Sequence, residues 1–151
     1  MSERTYQRPT AANGLPLTEP SSGPHSDAAT ISEECIRAVV DEFYRRARDD
    51  NQLGPVFDAH VASWDVHLAR MYDFWSAALL RTGRYSGRPV ERHRPLMELT
   101  AGHFERWVEL FGETVRDICT PAEAEAFMWR ARLMRQGMTR ALGLAAEGEI
   151  L

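Results

Sequence analysis

Along several segments of this chain, apolar residues recur at spacings of three and four, the pattern of helices that bury one face. The first segment carries Ile36, Val39, Val40, Phe43, Tyr44 and Ala47. Thr30 and Glu33 precede it in the spacing of a capping box, which predicts a helix start there and an end near Asp50-Asn51. Leu53-Gly54-Pro55 reads as a breaker and leaves Phe57 in a connecting loop or short turn. After Ser63 a second stripe, through Trp64, Leu68, Met71, Tyr72, Trp75, Ala78 and Leu79, predicts a helix that Gly83 ends.

A polar loop over Arg84-Tyr85-Ser86-Gly87-Arg88 leads to Pro89, which suits the first turn of a short helix. Pro95 confines that helix to roughly two turns. From Thr100 another amphipathic segment carries Phe104, Trp107, Val108, Phe111, Val115 and Ile118. The last helix has the plainest start, with Thr120 as N-cap, Pro121 first in the helix and Glu123 closing a capping box. It runs through Phe127, Met128, Ala131, Met134 and Met138 to Leu142, and Gly143 is its stop. Neither strand alternation nor a repeat period is visible, so the expected fold class is all-α.

Residues 1–29 are rich in Ser, Thr, Pro and Gly without apolar period, and are expected to form a disordered N-terminal extension. The folded domain is expected over 30–143, with a short tail over 144–151. A length of 151 residues, 44% of them hydrophobic and 26% charged, fits one globular domain and excludes a fibrous or wholly disordered chain. The 18 basic residues are all Arg, and against 22 acidic residues they leave a net charge of −4, which argues against nucleic acid as a partner. No run approaches the roughly 18 apolar residues that cross a membrane, and Phe74 to Leu80 is the best available. The N-terminus lacks a basic segment followed by an apolar run, so the expected location is the cytoplasm. Cys35 and Cys119 read as small buried hydrophobes, and their wide separation without a Cys-x-x-Cys sets a thiolate zinc site aside.

Phosphate loops, nucleophile elbows and His-Glu-x-x-His pairs are absent, which removes the usual hydrolase and kinase chemistries. What remains is a density of aromatic and histidine residues. His67 precedes Met71 by four and Trp75 by eight, so its ring lies on the inward stripe. A histidine satisfied by a backbone carbonyl at a helix edge fits that spacing as well. His93 lies between Pro89 and Pro95, amid Arg92 and Arg94; His103 follows Thr100 in a first turn, where a cap role fits. Two histidines on separate helices could also flank a planar cofactor, one binding its metal and the other facing the open coordination site, and haem fits that description. Tyr44 and the indole N–H of Trp107 could then serve as hydrogen-bond donors, although Phe43, Tyr44 and Trp107 are equally suited to plain core packing.

The order Phe43-Tyr44, Leu53-Gly54-Pro55, Phe57, His67, Phe74-Trp75, Tyr85-x-Gly87-x-Pro89, His93 and Phe104-x-x-Trp107-x-x-Leu110-Phe111 resembles the group III truncated haemoglobins, over about Ile31 to Leu142. The resemblance implies a shortened globin fold, a two-over-two helical sandwich around haem b. It implies His93 as the proximal iron ligand, Tyr44 and Trp107 as distal donors and His67 as a distal gate. Phe43, Phe57, Met71 and Trp75 would line the haem cavity, with Arg92 or Arg94 beside the propionates. His103 competes with His93 for the iron, and the likeness of Val90-Glu91-Arg92-His93 to the family's short proximal helix favours His93. Tight binding of O2, NO, CO or cyanide follows, with NO dioxygenase or peroxidase-like chemistry and an unidentified reductase. A haemless helical sensory or protein-interaction module is the alternative. The chain lacks the Gly-Gly pairs of groups I and II, which agrees with group III.

Overall fold

A computed structural model describes residues 31–144, which form six helices and, among those residues, no strand. The expected extension and most of the expected tail lie outside them. The first helix, α1 (Glu33–Asp49), starts later than Thr30 suggests: Ser32 is the N-cap, its hydroxyl accepting from the Cys35 N–H at 3.0 Å. Glu33 and Glu34 in the first turn and Arg46 and Arg48 in the last suit the helix dipole.

Gly54-Pro55 does not merely break the chain; it opens α2 (Gly54–His60), with the proline in the first turn where no N–H is missed. Phe57 is therefore helical, which corrects the expected loop. A Cβ on Gly54 would lie 2.6 Å from the Arg48 carbonyl oxygen, so only glycine lets α2 start this close to the end of α1. Asp50 joins the corner by accepting from the N–H groups of Gln52 and Leu53 and from Nε of Arg106 at 2.8 Å.

Helix α3 (Trp64–Leu80) is capped by Ser63 and ends before Gly83, because Arg81 already adopts the left-handed conformation at φ 56°. Helix α4 (Pro89–His93) is shorter than the expected two turns, at five residues. Helix α5 (Ala101–Ile118) starts at Thr100, and α6 (Pro121–Ala141) starts from the expected Thr120–Glu123 capping box. Gly143, at φ 69°, follows its end.

Helix α1 packs on both α3 and α5, while α6 packs on α5 and touches α3, so one helix pair lies across the other. Phe43, Phe111 and Phe127 are fully buried where they meet. Truncating any of them to Ala would cost about 3–5 kcal/mol. Two buried hydroxyls are satisfied: Thr114 donates to the Leu110 carbonyl at 2.8 Å and Ser76 to Glu33 Oε1 at 2.6 Å. Arg84 reaches the same carboxylate at 2.7 Å, tying the loop after α3 to the start of α1. The cysteines are half-buried rather than buried, and the fold brings their Sγ atoms to 3.7 Å despite their separation in sequence.

Candidate functional site

Between the helix pairs lies a cavity of about 320 Å³, of a size that takes a cofactor. Its wall brings together ten of the residues singled out from the sequence: Phe43 and Tyr44 of α1, Phe57 of α2, His67, Met71 and Trp75 of α3, Arg92 and His93 of α4, and His103 and Trp107 of α5. Tyr85, Phe104, Met134 and Met138 also line it. Tyr85 and Phe104 stand within the family-like pattern, but nothing in their spacing marks them as cavity residues. Arg94 is not on the wall and pairs with Glu91 at 3.5 Å. Arg70 and Arg135 are on it, and sequence reasoning passed both over because each sits on a helix face that reads as solvated.

Aromatic packing fixes the wall. Trp107 stacks on Phe111 and Phe111 on Trp75, each pair 8° from parallel with centroids 5.3 and 4.9 Å apart. This three-ring column sets the indole plane of Trp107, and with it the direction of its N–H. Tyr44 is gripped edge-on by Phe43, Phe57 and Trp64 at 5.0, 5.4 and 5.7 Å. Burial pushes its hydroxyl pKa far above the usual value, so it stays protonated and able to donate.

The three cavity histidines besides His60 differ in what holds them. The Nε2 of His67 is buried without a hydrogen-bond partner. Burial, followed by the charges of Arg70 and His93, lowers its pKa to about 4, so the ring is neutral at ordinary pH. His93 Nδ1 lies 2.6 Å from the Pro89 carbonyl, one turn back in α4. A carbonyl can only accept, so Nδ1 carries the proton and Nε2 keeps its lone pair. His103 is the reverse, because its Nδ1 accepts from the Thr100 N–H at 3.0 Å in a capping box. The proton of that ring is then on Nε2. His60 pairs its Nε2 with Glu98 at the exposed rim.

An apolar slot between crossed helix pairs, walled by aromatics and lined by several imidazoles, is the architecture of a globin. The pattern of the bacterial-like globins matches residues 30–139. The chain is 30% identical over 109 residues to the group 3 truncated hemoglobin ctb of Campylobacter jejuni, covering 70% of this chain and 86% of that protein. The crystal structure of the group III truncated hemoglobin from Campylobacter jejuni matches with a TM-score of 0.70 and 28% identity, over 80% of this chain and 96% of that one. The group II truncated hemoglobin from Bacillus anthracis matches with a TM-score of 0.64 at 23% identity, over 88% and 100%, a likeness of fold alone. The chain belongs to the bacterial-like globin family, as a group III truncated haemoglobin, and is thus a haem-binding globin. Among the described residues no helix is long and apolar enough to cross a membrane.

Proposed function

We propose that the cavity binds haem b with His93 as the iron ligand, and that the protein holds small diatomic ligands tightly for chemistry rather than for bulk transport. The reading is supported above all by the opposite commitments of two histidines on the same wall. His93 gives its Nδ1–H to the Pro89 carbonyl and keeps an Nε2 lone pair for a metal, the arrangement that orients histidine ligands and raises their basicity. His103 has its Nδ1 occupied by the Thr100 N–H, so its Nε2 bears a proton and has no lone pair to offer. This difference supports the preference for His93 over His103 that the resemblance implies.

Haem held by His93 would supply an iron centre able to bind O2, CO, NO or cyanide. Phe43, Phe57, Met71 and Trp75 exclude water from that space, and Arg92, exposed at its mouth, suits a propionate carboxylate. Tyr44 and Trp107 are the donors. A hydrogen bond to an acceptor that carries charge contributes about 1.5–3 kcal/mol, or roughly 10- to 100-fold in affinity. Neutral His67, with an unpartnered Nε2, is placed to gate entry. Two donors that slow release favour conversion of the captured ligand, such as NO to nitrate or the handling of peroxide, with a protein reductase restoring the iron.

The test is colour. The purified protein is expected to show an intense Soret band that is lost in His93→Ala and kept in His103→Ala. A preparation that stays colourless after haemin is added would overturn the reading, as would a band that survives in His93→Ala and disappears in His103→Ala.

A further inference from the structure

Away from the haem cavity, three helix ends converge on one small cluster. Cys35 lies in the first turn of α1, Cys119 is the residue that ends α5, and Glu123 lies in the first turn of α6. Their ligand atoms all lie within 4.8 Å of one another, and all three residues are half-buried. None of them lines the haem cavity. We propose that Cys35, Cys119 and Glu123 form a binding site for a zinc-class divalent cation.

The spacing is what such an ion needs. Two thiolates on a tetrahedral zinc, each at about 2.3 Å, are separated by roughly 3.8 Å. The two sulfurs stand 3.7 Å apart, so a cation can be taken up between them without either moving far. A disulfide would require the sulfurs to close from 3.7 Å to about 2.05 Å, so the reduced pair as it stands has the spacing of two zinc ligands and not of a covalent bridge. The donor set selects the metal: two soft thiolates with one carboxylate suit zinc, whereas magnesium and calcium prefer oxygen throughout. The carboxylate is already oriented, because Glu123 Oε1 accepts from the Thr120 N–H at 2.9 Å in the α6 capping box, and the same carboxylate meets the Cys35 thiol, whose proton a bound cation would displace. Cys35 is held likewise by its N–H bond to Ser32, and Cys119 by its N–H bond to the Val115 carbonyl at 2.8 Å. Binding releases one proton from each thiol, and a water completes the fourth position. An ion there would tie the start of α1 to the α5–α6 turn, and so would raise the unfolding temperature in proportion to the logarithm of its free concentration.

The experiment uses the haem-containing protein, reduced and then freed of reductant under argon, with Zn2+ as the probe. Equilibrium dialysis is expected to give one tight zinc per chain. X-ray absorption at the zinc edge, which the haem iron does not disturb, is expected to show two sulfur neighbours at about 2.3 Å. C35S and C119S each lower the affinity by at least about tenfold, a loss that even outer-shell partners can cause. E123Q tests the carboxylate while keeping an oxygen for the Thr120 cap, and helical circular dichroism and the Soret band confirm that each variant is folded. Zinc uptake unchanged in the C35S/C119S double variant overturns the site, and so does a zinc edge without sulfur. Wild-type protein that forms a disulfide and, once reduced again, takes up no zinc also overturns it.

Discussion

The ring of His67 meets that of Tyr44 edge to face, with centroids 4.9 Å apart and planes at 89°. Both groups are uncharged at neutral pH, the tyrosine because burial raises its pKa and the histidine because burial lowers its own to about 4. The contact therefore joins two neutral polar rings, and this part of the cavity wall keeps one charge state from neutral pH down towards the His67 value of about 4.

The rate of CO association, followed by flash photolysis, should accordingly be flat from about pH 8 to about pH 5.5 and change only as pH approaches 4. Stability follows the same group. The unfolded chain binds the proton near 6.5 and the folded one near 4, so as pH falls between these values unfolding becomes easier. His67→Leu should remove that part of the acid sensitivity, read as urea midpoints at a series of pH values. Equal slopes in the variant and the parent would contradict the assignment.

Tyr44→Phe and Trp107→Leu should each raise the O2 dissociation rate by roughly 10- to 100-fold, since each removes one donor. Stopped-flow replacement of O2 by CO measures this directly. Unchanged rates in both variants would remove these residues from the distal role.

Gly54→Ala should destabilise the fold by about 1–3 kcal/mol, because the new methyl meets backbone rather than a yielding side chain. Urea unfolding gives the value. A shift of α2 would also move Phe57 on the cavity wall, so faster ligand escape should accompany the loss.

Arg92→Ala should speed the transfer of haem to an excess of a haem-free acceptor globin. Arg94→Ala should not, since Arg94 is turned to Glu91 and is absent from the wall. Equal transfer rates in Arg92→Ala and the parent would separate Arg92 from the propionates.

The capped helices were legible because caps are local: Thr120, Pro121 and Glu123 lie within four residues and declare α6 unaided. His103 was readable as a cap residue from Thr100 for the same reason. Phe57 was not readable as helical, since a helix of seven residues offers too few turns for a period and Gly54-Pro55 looks alike whether it breaks a helix or starts one. The meeting of Cys35 and Cys119 was invisible, because it depends on how α1 lies against the α5–α6 turn and not on any spacing. The preference for His93 over His103 rested on resemblance, because the hydrogen bonds that Pro89 and Thr100 make to the two rings, which support the proposal, depend on the folded turns and not on any spacing.

The capping box at Thr100 does more than begin a helix. If His93 holds the iron, as proposed, a porphyrin displaced within the slot would meet a second imidazole ten residues along the chain, and the Thr100 turn would keep that imidazole from offering a lone pair for as long as the helix start stays wound. Mis-seating would require the opening turn of α5 to fray, so the accuracy with which the cofactor is lodged is coupled to the integrity of one threonine-led turn.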